Sequence, residues 1–226
     1  MNKIGYTSVK TLWHYSHAIS FWLFLQMEVL RLRRSGRNIP AYIDKIIWHC
    51  PSEAEDWVNL LCFLDTSECI LLVDIGANVG EFSNAFRRLF QRSHIIAFEL
   101  TIEAFAALKS SFEDNENLLA ENVGISDTAG EMEMYVPKDN RLSSFVAYTD
   151  ITNEYRQMDV ANTQTVAIRT LDSYESTIRK MNNTDAAAKV MIKIDVQVHE
   201  INVLRGGSCF ENGGHCFVLM HIRPCL

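Results

Sequence analysis

The sequence predicts an α/β fold built on a mostly parallel β-sheet, and three observations point to it. Short apolar runs of strand length recur along the chain: CILLVDIG from Cys69, HIIAFEL from His94 and VMIKIDV from Val190. Stretches with helical periodicity, Phe82 to Phe90 and Ile102 to Phe112, follow the first two runs. The runs are apolar throughout, as in strands covered on both faces, and strands alternating with helices imply parallel pairing with right-handed crossovers.

Each element follows in order. Residues 1–66 read as an N-terminal helical extension and 67–226 as the α/β domain. In the extension, Pro51-Ser52 starts a helix, with Ser52 as its cap and Glu55 completing an S-x-x-E box. Trp57, Leu60, Leu61 and Leu64 then follow at helical spacing. After the second helix, LLAENVGIS is expected as a third strand. EMEMYVP and TQTVAIRTL alternate polar and apolar residues, which predicts a half-exposed β-hairpin inserted into the parallel pattern. RLSSFVAYTD lies between them. VMIKIDV, a helix from about His199 to Leu204 and CFVLMHIR complete the domain.

Composition narrows the partners. A net charge of −7 argues against a nucleic-acid partner, which favours a basic face. Cysteines stand at 50, 62, 69, 209, 216 and 225 with no C-x-x-C pair, so zinc-ligand spacing is absent and reduced, mostly buried thiols are expected. No metal site is expected. AISFWLFL, from Ala18, is far shorter than the roughly 20 apolar residues of a spanning helix. Gln26, Met27 and Glu28 follow it in place of a signal-cleavage site, so a cytoplasmic protein is expected. Two readings of this stretch stand. One is a helix packed on the domain with Arg31, Arg33, Arg34 and Arg37 as a solvated end. The other is a helix lying on an anionic membrane surface.

The chemistry concentrates at strand ends. Asp74-Ile75-Gly76-Ala77-Asn78-Val79-Gly80 closes the first strand and opens a helix with D-x-G-x-N-x-G spacing. Glycines there let the backbone approach a ligand and reach positive φ, and the helix amino terminus favours a negative group. Asn78 stands where a dinucleotide G-x-G-x-x-G motif places its second glycine, and no P-loop Gly-Lys-Ser/Thr is present. Glu99 ends the second strand 23 residues after Gly76, where an acid accepts both ribose hydroxyls. Ser126-Asp127 follows the third strand, and Asp127 reads either as an acceptor for an adenine amino group, as in related sites, or as the start of a turn, since Thr128, Ala129 and Gly130 follow. Asp195 ends the VMIKIDV strand beside Lys193, and buried charges so close imply a partner. From these residues alone, a nucleotide-type cofactor follows.

LLVDIGANVGEFS, HIIAFEL, NVGISDTAG, IRTLDSY and KIDVQVHEINVLRGG occur in an order that resembles FkbM-type methyltransferases, over roughly Leu71 to Arg223. The resemblance implies a Rossmann-like S-adenosylmethionine (SAM)-dependent methyltransferase fold. It also implies O-methylation of a small hydroxylated acceptor, a sugar or secondary metabolite. Asp74, Gly76, Asn78, Gly80, Glu99, Ser126 and Asp127 then become cofactor residues. Asp195, Glu200 and His199 become the catalytic candidates, with His221 behind them and Asp195 first. Ser143 and Ser144 are further candidates for the acceptor pocket, though a surface loop describes them as well.

The chain also departs from the family. Gln197 and Val198 stand where Glu-Gly is common after the KIDV strand, and His221 where the last strand ends in Glu. Two further strands of the family's pattern are not in this chain. The final strand is therefore expected to be an open apolar edge, for which dimerisation, an unusual ending or a truncated gene product would account. A catalytically impaired SAM-binding scaffold is the alternative function. An NAD-dependent oxidoreductase is disfavoured by the glycine spacing. A nucleic-acid amino methyltransferase is disfavoured because Asp195-Val196-Gln197-Val198 replaces its Asp/Asn-Pro-Pro-aromatic signature.

Overall fold

The computed structural model describes residues 20–37, 39, 41, 43–44, 51–113, 115–137, 160–182, 189–196, 199–208 and 216–220. The chain divides into two compact units, Met1–Glu68 and Cys69–Leu226.

In the first unit, helix α1 covers 20–34 and helix α2 covers Pro51–Phe63. Leu25, Val29 and Leu32 are buried along one face of α1, and Trp57, Leu60, Leu61 and Leu64 are buried as their spacing predicts. The opposite face of α1 exposes Leu23, Phe24, Met27 and Leu30. α2 begins at Pro51, one residue ahead of the Ser52 start that the sequence pattern implied. Pro51 serves the first turn, because its fixed φ suits a helix start and its missing N–H has no partner to lose there. Arg31 and Arg34 are exposed, whereas Arg33 and Arg37 are half-buried. Arg33 pairs with Asp44 at 2.8 Å, Arg37 donates to the Leu64 carbonyl at 2.7 Å, and Arg31 pairs with Glu28. Among the described residues no helix is long and apolar enough to cross a membrane.

The second unit holds two sheets. Five strands form the larger: β1 (Ile70–Ile75), β2 (His94–Phe98), β3 (Leu118–Glu121), β7 (Lys189–Ile194) and β8 (Cys216–Met220), in the order β3-β2-β1-β7-β8. Every pairing in it is parallel. β1 is buried along its whole length, as its unbroken apolar run requires of a central strand covered on both faces. Helices α3 (Glu81–Leu89) and α4 (Ile102–Ser111) follow β1 and β2. α3 buries Ser83, Phe86 and Leu89, three residues apart on one stripe, while Arg88 is exposed.

The smaller sheet is the expected insert. β5 (Gly130–Pro137) pairs antiparallel with β6 (Val160–Arg169), and the two-residue β4 (Gly124–Ile125) adds to β6 in parallel. The single third strand expected from LLAENVGIS is in fact two, in different sheets. Asn122 marks the break: its Nδ2 donates to the carbonyls of Glu99 and Leu100, at 2.8 and 3.1 Å, and draws the chain away from the larger sheet. After β6 come a 3-10 turn, Leu171–Tyr174, and helix α5 (Glu175–Asn182). The short helix α6 (Glu200–Arg205) follows β7.

Leu171, Ile178 and Val203, from the turn, α5 and α6, pack on Val73, Ile75, Ile96 and Ile194 of the sheet. Phe98 and Tyr174 meet edge to face at 4.7 Å in the same core. Among the described residues β8 is an edge strand, and Val218 on it is exposed. Cys62 and Cys69 form no disulfide and are half-buried, so at these two positions burial is less complete than expected. Gln197, Val198, His221, Ser143 and Ser144 lie outside the described residues.

Candidate cofactor and active site

Strand order places the site. The chain runs outward from β1 through β2 to β3, then returns to add β7 and β8 on the other side of β1. The carboxyl ends of β1 and β7 therefore flank the point where the order reverses, where open α/β sheets bind ligands.

The turn after β1 is shaped by close backbone packing. Gly76 has φ +78°, and a Cβ there would stand 2.1 Å from the Asp195 carbonyl oxygen, so only glycine fits. The Gly76 and Ala77 amides both donate to the Phe98 carbonyl at 3.0 Å, which ties the turn to the end of β2. Asn78 is left-handed at φ +52°, a conformation asparagine tolerates better than most residues. Its amide donates 2.8 Å to Glu99 Oε2. Gly80 caps α3, and Asn78 and Val79 form the exposed tip.

Glu99 is 6% exposed. Its Oε1 accepts from the Thr101 amide at 2.8 Å and the Thr101 hydroxyl at 2.7 Å. Thr101 precedes α4 at the capping position, but its side chain turns to Glu99 rather than to the helix. A carboxylate has about four acceptor directions, and these bonds with that from Asn78 leave one on Oε2. A grip on two ribose hydroxyls, as the sequence implied, requires the Thr101 hydroxyl to rotate away.

Beneath the turn lies a buried charge cluster. Asp74 is 0% exposed and accepts 2.7 Å from the Ser83 hydroxyl. Lys193, its register partner across β1 and β7, places Nζ 3.0 Å from Asp74 Oδ1. Nζ also donates to the Gly76 carbonyl, 2.9 Å away. Nζ also lies 4.0 Å from Asp195 Oδ2 and 5.6 Å from the centre of the Phe82 ring. Asp74 thus has no surface to offer a ligand and holds the turn from below. Asp195, with its side chain 33% exposed, is the member of the cluster that faces out.

The remaining candidates form a second group. Ser126 is buried, its amide bonded to the Arg169 carbonyl at 2.9 Å. Its Oγ donates 3.1 Å to Asp127 Oδ1 and lies 2.9 Å from His199 Nε2. Asp127 is exposed and Glu200 is buried in the first turn of α6. Burial pushes the His199 imidazole below its usual pKa, against the opposing pull of Asp127 and Glu200, which favours the neutral ring. Sequence reasoning grouped Ser126 with the cofactor and His199 with catalysis; the fold brings their side chains into contact.

Ser83 and Thr101 were not recognised from sequence. A threonine two residues after a strand-ending acid is the signal that was available for Thr101; Ser83 looks like any helix residue. Among the described residues no group of three His, Cys, Asp or Glu side chains is arranged to hold a metal.

The model of the methyltransferase FkbM domain matches residues 74–216, more than half of the chain. The chain belongs to the FkbM methyltransferase family. The matched span begins at Asp74 and contains every candidate residue through Glu200. Among curated proteins none matches. Among solved structures, a methyltransferase FkbM from Methylobacillus flagellatus KT is 12% identical with a TM-score of 0.46, over 90% of this chain and 48% of that one. The chain therefore spans about half the length of that protein.

Proposed function

We propose that this FkbM domain is a SAM-dependent methyltransferase that methylates a hydroxyl oxygen of a small acceptor, a sugar or secondary metabolite. The observation that carries the reading is the Glu99 carboxylate at the end of β2, locked to the glycine turn through the Asn78 amide and keeping one acceptor direction for a hydroxyl.

The residues present fit such a cofactor. Gly76 lets the turn close against the Asp195 backbone, where a Cβ would clash. Glu99 takes a ribose hydroxyl, the amino-terminal turn of α3 suits a carboxylate, and Asp127 takes the amino group of adenine. When bound, SAM supplies an electrophilic methyl group whose sulfur departs as a neutral thioether. Asp195 accepts the proton that the acceptor hydroxyl loses as its oxygen forms the new C–O bond, a contribution of about 10²–10⁴-fold for a well-placed base. Lys193 keeps Asp195 in place and holds the Gly76 carbonyl, so the turn and the base share one support. Glu200 is too buried to meet an acceptor and serves its helix instead.

Calorimetric titration of the full chain with SAM, S-adenosylhomocysteine and NAD tests the cofactor. Saturable binding of the first two, lost in Glu99→Ala, is expected. Binding of NAD alone, or of nothing by a folded chain, overturns the reading. Release of S-adenosylhomocysteine over a panel of monosaccharides and polyols tests the reaction. Asp195→Ala is expected to bind SAM and lose turnover, and full turnover in that variant removes Asp195 as the base. Tight binding without turnover on any acceptor marks a SAM-binding scaffold.

A further inference from the structure

His199 is poorly placed to serve as a base, because its Nε2 is engaged by a buried serine. Ser126 Oγ has one proton, and the geometry sends it to Asp127 Oδ1 at 3.1 Å. The 2.9 Å contact with His199 Nε2 is then satisfied only if the ring brings its own proton. The result is a chain of donors running from imidazole N–H to the serine hydroxyl to the Asp127 carboxylate.

A separate contact secures the same serine from its other side. Gly206, which closes α6, lies so near the Ser126 carbonyl that a Cβ on it would stand 2.1 Å from that oxygen. Gly206 is itself held, its carbonyl accepting from the Asp172 amide at 2.8 Å, while Ser208 Oγ donates 2.7 Å to Asp172 Oδ2. The short helix thus grips Ser126 at both ends: His199 takes its side chain and Gly206 its backbone. Such double support is what a side chain needs in order to hold a ligand-facing group in one orientation.

We propose that His199 is a positioning residue for purine recognition, acting through Ser126 to aim the Asp127 carboxylate at the exocyclic amino group of the cofactor's base. The inference rests on the SAM reading and deepens it. Among the described residues Asp127 and Glu200 act on the ring, and burial outweighs their pull and lowers its pKa.

The test compares two ligands on the full-length chain by calorimetry: S-adenosylhomocysteine, and S-inosylhomocysteine, which has a carbonyl in place of the amino group. Wild type is expected to prefer the adenosyl ligand by about tenfold, the scale of one charge-assisted hydrogen bond. His199→Leu is expected to bring that ratio close to one, and Ser126→Ala to do the same. His199→Gln, whose amide nitrogen can still donate to Ser126, is expected to keep it. A merely structural role would weaken both ligands equally and leave the ratio standing. An unchanged ratio in His199→Leu and Ser126→Ala, or no preference in wild type, overturns the proposal while the cofactor reading survives. Failure of folded wild type to bind S-adenosylhomocysteine removes the cofactor reading, and this inference with it.

Discussion

Replacing Lys193 by methionine isolates the buried charge beneath the glycine turn. Methionine roughly keeps the volume and apolar length of the lysine stem, so the main loss is the ammonium. That ammonium stands 3.0 Å from an Asp74 oxygen, with side chains 10% and 0% exposed. At an effective dielectric of 20 the attraction is about 5 kcal/mol before desolvation is counted. What the variant loses is set by the carboxylate left behind in the core, and breaking one side of a buried pair costs roughly 3–5 kcal/mol. Ser83 still donates to the other oxygen of Asp74, which favours the lower end of that range. All four tryptophans precede Cys69, so their fluorescence reports the first unit and is the wrong probe. Amide hydrogen exchange, followed on peptides covering Ile70–Ile75 and Lys189–Ile194, reads the affected strands directly. At about 1.4 kcal/mol per decade, exchange there should accelerate by two to three orders of magnitude. Adding Asp74→Asn to Lys193→Met should recover part of the loss, since no buried charge then remains. An acceleration below tenfold in the single variant would refute the reasoning, because it would mean that Asp74 does not depend on Lys193.

Two further outcomes follow from the same structure. Gly76→Ala and Gly80→Ala both place a side chain at positive φ, at about 1–2 kcal/mol each. Gly76→Ala additionally meets the Asp195 backbone, whereas Gly80→Ala meets the movable end of Leu108, so Gly76→Ala should lose roughly 1–3 kcal/mol more. Equal losses by hydrogen exchange would show that the β1 and β7 ends part freely. For pH, the His199 pKa is lowered on folding from 6.5, chiefly by burial. The folded chain then binds fewer protons there than the unfolded one. The stability this contributes is complete above about pH 6.5 and is lost as pH falls toward the lower folded value. The slope of α6 protection between pH 7.5 and 5.5 should be shallower in His199→Gln, and identical slopes would contradict the burial of the ring.

The parallel sheet and the glycine turn were legible in the sequence because each rests on local periodicity and on residue types with few alternatives. An apolar run ending in Asp-x-Gly has little choice but to be a covered strand meeting a tight glycine turn. The hairpin insert was legible for the same reason, its polar alternation differing from the runs around it. Pairing across long separations was not legible. Nothing local says that Asp74 and Lys193 share a register position 119 residues apart, that Asn122 divides one expected strand between two sheets, or that Thr101 occupies Glu99.

The sequence by itself determined which chemistry the chain carries: a strand-ending acid, a glycine turn, and the order of motifs that marks the FkbM family. Tertiary structure decided which of those groups are buried and which reach the surface. Asp74 turned inward, Asp195 stayed part-exposed, and His199 met Ser126. The physical reason is that a side chain's role depends on its burial and its partner, and both come from strand register and helix docking, which no short window of sequence contains.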